Sequence, residues 1–89
     1  MKIKKDFLLR KVSDTYVVVP VGSAIIDFSG LINLNETGAF LFELLQNGAE
    51  EKELVDKLLQ EYDVSESVAI KDVKAFILKV KEANILEKD

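Results

Sequence analysis

The side chains that most often carry out chemistry in proteins are sparse in this sequence. Its 89 residues include no His and no Cys. A Ser–His or Cys–His nucleophile pair therefore cannot be built, and neither can a zinc site of Cys and His ligands. Without Cys there is also no disulfide, so burial of apolar side chains must hold the chain together.

Carboxylates and hydroxyls remain as candidate reactive groups, but their positions have structural explanations. The acid-rich run 50–53 stands at the start of a predicted helix, where the helix dipole favours negative charge. The hydroxyl residues lie at or beside predicted turns and caps, where they bond to the local backbone: Ser13, Thr15, Ser23, Ser29, Thr37, Ser65 and Ser67. The four glycines are scattered, so they form no phosphate-binding loop. We therefore expect no enzyme activity, no cofactor and no metal.

Runs of β-branched and other apolar residues in the first part of the chain predict the strands of a small sheet. The predicted strands are 7–12, 16–19, 25–28 and 31–34. Ser13-Asp14 and Ser29-Gly30 predict the turns between them. Pro20 belongs at a strand end or a sheet edge, because it has no N–H for a ladder.

The second part of the chain has the apolar spacing of three helices. The first begins at the cap Asn35 and ends at Asn47-Gly48, the second covers Glu50–Tyr62 after a weak cap at Ala49, and the third covers about Glu66–Ala83 between Ser65 and Asn84. We therefore predict a single domain over residues 1–89, of the α+β class. It has a small antiparallel sheet of three to four strands followed by three helices.

One apolar residue does not fit the third helix. The core stripe consists of Ala69, Ile70, Val73, Phe76, Ile77 and Val80. At ~100° per residue, Leu78 lies roughly 140° from Val73. Leu78 is either an isolated exposed leucine or part of a second apolar surface that meets a partner.

Charge and hydropathy bear on partners and location. The chain has a net charge of −4, a poor match for nucleic acid. Residues 35–66 are strongly acidic, whereas residues 1–12 and 68–81 are basic; solvated helix faces are the ordinary explanation of such a pattern. No apolar segment follows the basic N-terminus, and no apolar run is long enough for a membrane span, so a cytoplasmic protein is expected.

Several motifs occur in a characteristic order. They are Tyr16–Pro20, Leu34-Asn35-Glu36-Thr37-Gly38, Phe42-Glu43-Leu44-Leu45, Glu61-Tyr62-Asp63, Asp72–Val80 and Asn84-Ile85-Leu86. Together they resemble the PqqD family, small proteins named for the chaperone of pyrroloquinoline quinone biosynthesis. The resemblance extends from about Phe7 to Glu87. It implies a domain like a winged helix-turn-helix, with three strands packed on three helices.

The resemblance also implies a function, that of a recognition element for ribosomally made and later modified peptides. In that family the leader of a precursor peptide adds as a strand at the sheet edge, beside the third helix. The domain then presents the leader to a tailoring enzyme, often a radical SAM protein. The segment Val21–Gly30 is longer than the turn of quinone-pathway members, so the likeness is nearer to members that work with other peptide-modifying enzymes.

Carried over to this chain, the resemblance assigns the peptide site to one strand and one helix face. The strand residues are Leu31, Ile32, Asn33 and Leu34, or else the neighbouring strand 25–28, because the sequence leaves open which strand is the free edge. The helix residues are Lys74, Leu78 and Lys81. Their ammonium groups suit acidic leader residues.

Two other functions compete with peptide binding. A winged-helix DNA-binding regulator has the same topology and a basic third helix, but the acidic total and the lack of Arg, Asn and Gln on that helix weigh against it. A homodimer formed by pairing of sheet edges is the other, and it is compatible with peptide binding by the monomer.

Overall fold

A computed structural model of the chain describes residues 1–22, 25 and 32–87. Its elements are β1 (Phe7–Val12), β2 (Thr15–Pro20), β3 (Ile32–Leu34), α1 (Glu36–Gln46), α2 (Glu51–Glu61) and α3 (Glu66–Glu82). The predicted α+β class is confirmed, with antiparallel strands followed by three helices. Of the predicted strand 25–28 only Ile25 is described, and its N–H donates to the Gly22 carbonyl at 3.3 Å, a turn contact. The rest of that strand, the Ser29-Gly30 turn and Leu31 lie outside the described residues.

The described strands form an antiparallel sheet in the order β1-β2-β3. Val18 is central, because it pairs with Leu9 on one side and with Ile32 on the other. β1 and β2 are joined by the predicted Ser13-Asp14 turn, in which Ser13 has a φ of 58°. One face of the sheet packs on the helices and carries the core residues Phe7, Val18, Ile32 and Leu34.

The helices begin where their side-chain caps place them. The Asn35 side chain accepts a hydrogen bond from the Gly38 N–H at 2.8 Å, and the Ser65 hydroxyl accepts one from the Val68 N–H at 3.3 Å. Both predicted caps are confirmed. The predicted cap Ala49 of α2 is wrong: the cap is Glu50, whose N–H donates to the Glu53 carboxylate at 3.2 Å. The Glu53 carboxylate, at the third position of the helix, accepts a hydrogen bond from the backbone N–H of the cap residue.

The two terminal segments of the described chain meet each other beside the core. Ile3 and Leu86 form an antiparallel bridge. The Ile3 N–H donates to the carbonyl of Leu45 at 2.9 Å, and the Lys4 N–H donates to that of Ile85 at 2.8 Å. Ile85 is fully buried, as the predicted return of the chain after Asn84 requires, and Asn84 has the expected left-handed φ of 58°. No helix among the described residues is long and apolar enough to cross a bilayer.

Candidate functional site

The hydrogen bonds of the sheet determine which backbone groups face outward at β3. Val12 and Thr15 flank the two-residue loop, so they form a hydrogen-bonded pair, and the pairs of an antiparallel ladder then alternate. Pro20 fits this alternation, because it stands in a pair that needs no N–H. Tyr16 and Val18 therefore direct their backbone groups toward β3.

Tyr16 lies opposite Leu34 of β3, and Val18 lies opposite Ile32. Leu34 and Ile32 are therefore the positions of β3 whose backbone groups form hydrogen bonds with β2. Asn33 lies between them, opposite Val17, so its N–H and C=O point away from β2. Its side chain is exposed, while those of Ile32 and Leu34 are buried. Within the described strands β3 is an edge, and Asn33 supplies its outward donor and acceptor.

Lys79 on α3 reaches this edge. Its Nζ donates to the carbonyl oxygen of Asn33 at 3.0 Å. The contact joins residues 46 positions apart and is exposed to solvent. It confirms that the Asn33 carbonyl faces α3 rather than β2, as the alternation of the ladder requires.

A cleft of about 310 Å³ runs between the end of β3, the start of α1 and one side of α3. We call it the edge groove. Its lining residues are Leu34, Asn35, Thr37, Gly38, Leu41, Asp72, Ala75, Phe76 and Lys79. Buried apolar side chains form part of its wall, and polar groups lie around them, which is the usual composition of a small binding cleft.

The motif Leu34-Asn35-Glu36-Thr37-Gly38 shapes one wall of the edge groove. Asn35 ends the strand and caps α1 by its bond to the Gly38 N–H. A Cβ at position 38 would lie 3.2 Å from the Leu34 Cβ and 3.3 Å from the Asn35 Oδ1. Glycine here therefore lets the first turn of α1 approach β3 closely, and that approach sets the width of the groove.

The edge groove has one charge of each sign on α3. Asp72 is half-buried and Lys79 is exposed. Among the described residues no cationic nitrogen lies within ion-pair distance of the Asp72 carboxylate. The two residues are separated by about two helical turns, or roughly 10 Å along the axis at ~1.5 Å per residue.

The structure brings together some of the predicted site residues and separates others. Asn33 and Leu34 are at the groove, and Ile32 is in the core beside them. Lys74 is turned toward α2, where its Nζ lies 3.9 Å from the Glu51 carboxylate. Lys81 lines a different depression with Met1, Asn84, Leu86 and Glu87.

Leu78 is exposed, as its misfit with the core stripe predicted, with 58% of its surface accessible. It is absent from the groove lining and lies on the outer side of α3. A role for Lys74, Leu78 and Lys81 in peptide binding stays a prediction. The groove residues of α3 that the sequence did not assign to the peptide site are Asp72, Ala75, Phe76 and Lys79.

Helical spacing alone shows that these four groove residues share one face of α3, but it does not show that this face forms the site. Positions 72, 75, 76 and 79 follow the spacing i, i+3, i+4 and i+7, so they share one face. The core stripe of α3 has two flanks, and only the position of α3 in the folded protein determines which flank lies beside the sheet edge. Among the described residues no cluster of carboxylates suits a metal ion.

The fold and the groove together define a class of protein: a small α+β fold in which β3 is an edge of the described sheet and lies beside the last described helix. The sequence profile described as "Coenzyme PQQ synthesis protein D (PqqD)" matches residues 15–86. The chain belongs to the PqqD family, as its motifs predicted. A comparison with curated protein sequences gives no significant match.

Two solved structures have a similar fold. One is described as "TbiB1 in Complex with the TbiA(beta) Leader Peptide"; it is 22% identical, has a TM-score of 0.74, and the alignment covers 100% of this chain and 98% of that one. The other is described as "Lasso peptide synthetase B1 complexed with the leader peptide"; it is 21% identical, has a TM-score of 0.68, and the alignment covers 91% of this chain and 89% of that one. These likenesses confirm the fold. Neither description concerns a DNA-binding protein.

Proposed function

We propose that this protein is a non-catalytic adaptor that binds the leader of a ribosomally made precursor peptide as an added strand at β3. The observation that carries the proposal is the outward N–H and C=O of Asn33 beside the edge groove. Membership of the PqqD family supports it. So do the two structures of similar fold, both of which are described as complexes with a leader peptide.

The geometry suits strand addition in two ways. The backbone groups of Asn33 can form a pair of hydrogen bonds with an extended peptide, and such main-chain bonds give affinity without reading sequence. The edge groove then receives side chains from one face of the added strand, where exposed Ala75 offers apolar contact above the buried Phe76. Alternate side chains of the peptide give selectivity, because they point to opposite faces.

Presentation of the bound leader to a separate tailoring enzyme is part of the same proposal. A domain without His or Cys has few means of modifying a peptide, and binding leaves the rest of the precursor free. Pull-down of the enzymes encoded beside this gene, with and without the leader peptide, tests this step. Enzyme recovery that requires both components supports presentation, and recovery of no neighbouring enzyme under either condition contradicts it.

Asn33→Pro tests the mode of binding. Proline at 33 removes an N–H that the β2 ladder does not use, so the fold should persist, while strand addition loses one of its two main-chain bonds. Asn33→Ala is the matched control, because it removes the side chain and keeps the N–H. The ligands are synthetic peptides from short open reading frames beside the gene, followed by amide chemical shifts.

The expected result is a binding peptide that shifts the amides of Asn33 and the edge groove. Its affinity should fall about tenfold or more in Asn33→Pro, because a main-chain hydrogen bond at a desolvated edge is lost. Its affinity should stay nearly unchanged in Asn33→Ala. Equal affinity of both variants would show that the peptide binds without strand addition. Urea unfolding of each variant shows that the fold is retained.

A further inference from the structure

We infer that Lys79 and Asp72 select leaders by charge: the bound segment carries an acidic residue beside Lys79 and a basic residue about three positions away, beside Asp72. This inference rests on the proposed function and adds the chemistry of the ligand. It concerns two residues of the motif Asp72–Val80 to which the sequence assigned no role in peptide binding. Both line the edge groove, at opposite ends of its α3 wall.

Lys79 needs a new partner when a strand is added. In the free protein its ammonium group binds the Asn33 carbonyl, the same outward acceptor that an incoming peptide N–H must use. Strand addition makes the two donors compete for that oxygen, and it encloses the ammonium group in a groove that the peptide is closing to water. A carboxylate on the peptide gives the ammonium group a charge-assisted bond, whereas an apolar or basic residue leaves its charge uncompensated.

Asp72 has the complementary requirement at the other end. Its carboxylate is half-buried and has no described cation within ion-pair distance. A peptide lying over the groove removes further water from it, and an unpaired carboxylate becomes costly as it is desolvated. A Lys or Arg on the peptide offsets this cost, while an acidic residue at that place is rejected.

The distance between the two charges sets their spacing on the ligand. The ~10 Å between the positions of Asp72 and Lys79 along α3 corresponds to about three residues of an extended chain at ~3.3 Å per residue. The two ends of the groove differ in charge, because Lys79 lies at the end beside Asn33 and Asp72 lies at the other end. Ligands should therefore carry the acid and the base in a single sequence order.

The test is selection of a displayed library of random 12-residue peptides against the 89-residue chain. The same library is selected against Lys79→Glu and Asp72→Lys. Lys57→Glu serves as a control with the same change of charge as Lys79→Glu, because Lys57 is exposed on α2 and outside the groove. Each enriched peptide is assigned to the edge groove by the shift of the Asn33 amide.

The expected result is enrichment of one acid-to-base order at a spacing of about three residues. Peptides selected against Lys79→Glu should carry a base in place of the acid, and peptides selected against Asp72→Lys should carry an acid in place of the base. Peptides selected against Lys57→Glu should have the same charge pattern as those selected against the original chain. Neutralising the acid of a selected peptide should weaken its binding to the original chain about tenfold.

Two outcomes overturn the inference, and they are distinguishable. Peptides that shift the Asn33 amide but have no charge preference, or keep the same preference in Lys79→Glu and Asp72→Lys, contradict charge selection and leave strand addition intact. Selection that returns no peptide shifting the Asn33 amide contradicts the proposed function itself, and charge selection with it.

Discussion

Lys79 donates a hydrogen bond from its side chain to the main-chain carbonyl of Asn33, and so closes the gap between α3 and the sheet edge. The bond joins the short strand β3 to the longest helix of the described chain. Because both groups are exposed, water competes with it. It holds the edge in place in the free protein while remaining easy to replace.

Lys79→Met should change stability little. An exposed bond of this kind contributes on the order of 1 kcal/mol or less, and methionine keeps most of the apolar stem. We expect urea unfolding to show a free energy within about 1 kcal/mol of the original chain. Lys57→Met on α2 is the control for loss of a positive charge alone. A decrease of several kcal/mol in the free energy of unfolding that is specific to Lys79→Met would contradict this expectation. It would mean that the contact contributes to the stability of the whole fold.

Asn35→Ala should destabilise the protein by about 1 kcal/mol, because it removes the side-chain cap of α1. The bond that is lost is the one from the Gly38 N–H to the Asn35 Oδ1, 2.8 Å long. Asn35→Asp keeps the acceptor and adds a negative charge at the helix N-terminus, so its stability should be retained. Equal losses in the two variants, measured by thermal or urea unfolding, would contradict a capping role.

Gly38→Val should both destabilise the fold and narrow the edge groove. The added Cβ stands 3.2 Å from the Cβ of buried Leu34, and the branched methyl groups need still more room. We expect a loss of about 1–3 kcal/mol and weaker peptide binding. Gly38→Ala is the control, since its single methyl requires a shift of only a few tenths of an ångström and alanine favours the helix. Identical behaviour of the two variants would remove the steric argument.

Two leucines on neighbouring helices allow the effect of burial on stability to be compared for the same substitution. Leu54 on α2 is fully buried, whereas Leu78 on α3 is mostly exposed. Leu54→Ala should cost about 2–5 kcal/mol and Leu78→Ala less than about 0.5 kcal/mol, because only the first leaves a cavity. Chemical denaturation measures both. A substantial loss in Leu78→Ala would show that this side chain has a structural contact.

Tyr62 should ionise at higher pH than an ordinary tyrosine. Burial raises the pKa of its hydroxyl above the usual 10.0, and the negative charge of Glu36 raises the pKa further. Its ring also packs edge-on against Phe40, with centroids 5.6 Å apart. The unfolded chain gives up this proton first, so stability should fall as pH rises through 10.0 toward the folded-state pKa.

Tyr16→Phe leaves Tyr62 as the remaining tyrosine for a titration by ultraviolet absorbance. Adding Glu36→Gln should lower the pKa of Tyr62 toward its usual value without reaching it, because burial remains. An ordinary pKa in Tyr16→Phe, with the fold intact, would contradict the burial of the hydroxyl.

Local patterns predicted most of the elements. The strands at Phe7 and Tyr16, the caps Asn35 and Ser65, and the left-handed Asn84 follow from residue type and near neighbours, and the structure has them all. The α2 cap was misassigned because Glu50 is a poor cap by type. Its stabilising partner is a carboxylate three residues on, and that pairing depends on side-chain geometry.

The site was harder to predict because it depends on contacts between distant parts of the chain. Periodicity identifies the core stripe of α3, and hence the exposure of Leu78. It does not determine whether β3 lies on the flank with Lys74 or on the flank with Lys79. Burial of Ile3 is a second example, since nothing in the basic N-terminal sequence indicates that its backbone binds that of Leu45 and its strand partner is Leu86.

The bridge between Ile3 and Leu86 has a consequence for the order of folding. It joins nearly the whole chain into one loop, and the entropy lost on closing a loop grows with its length. The β1–β2 hairpin and the helix pairs close far shorter loops, so they can form first. We therefore expect the terminal segments to dock last on an existing core, and to be the first to detach when the protein opens locally.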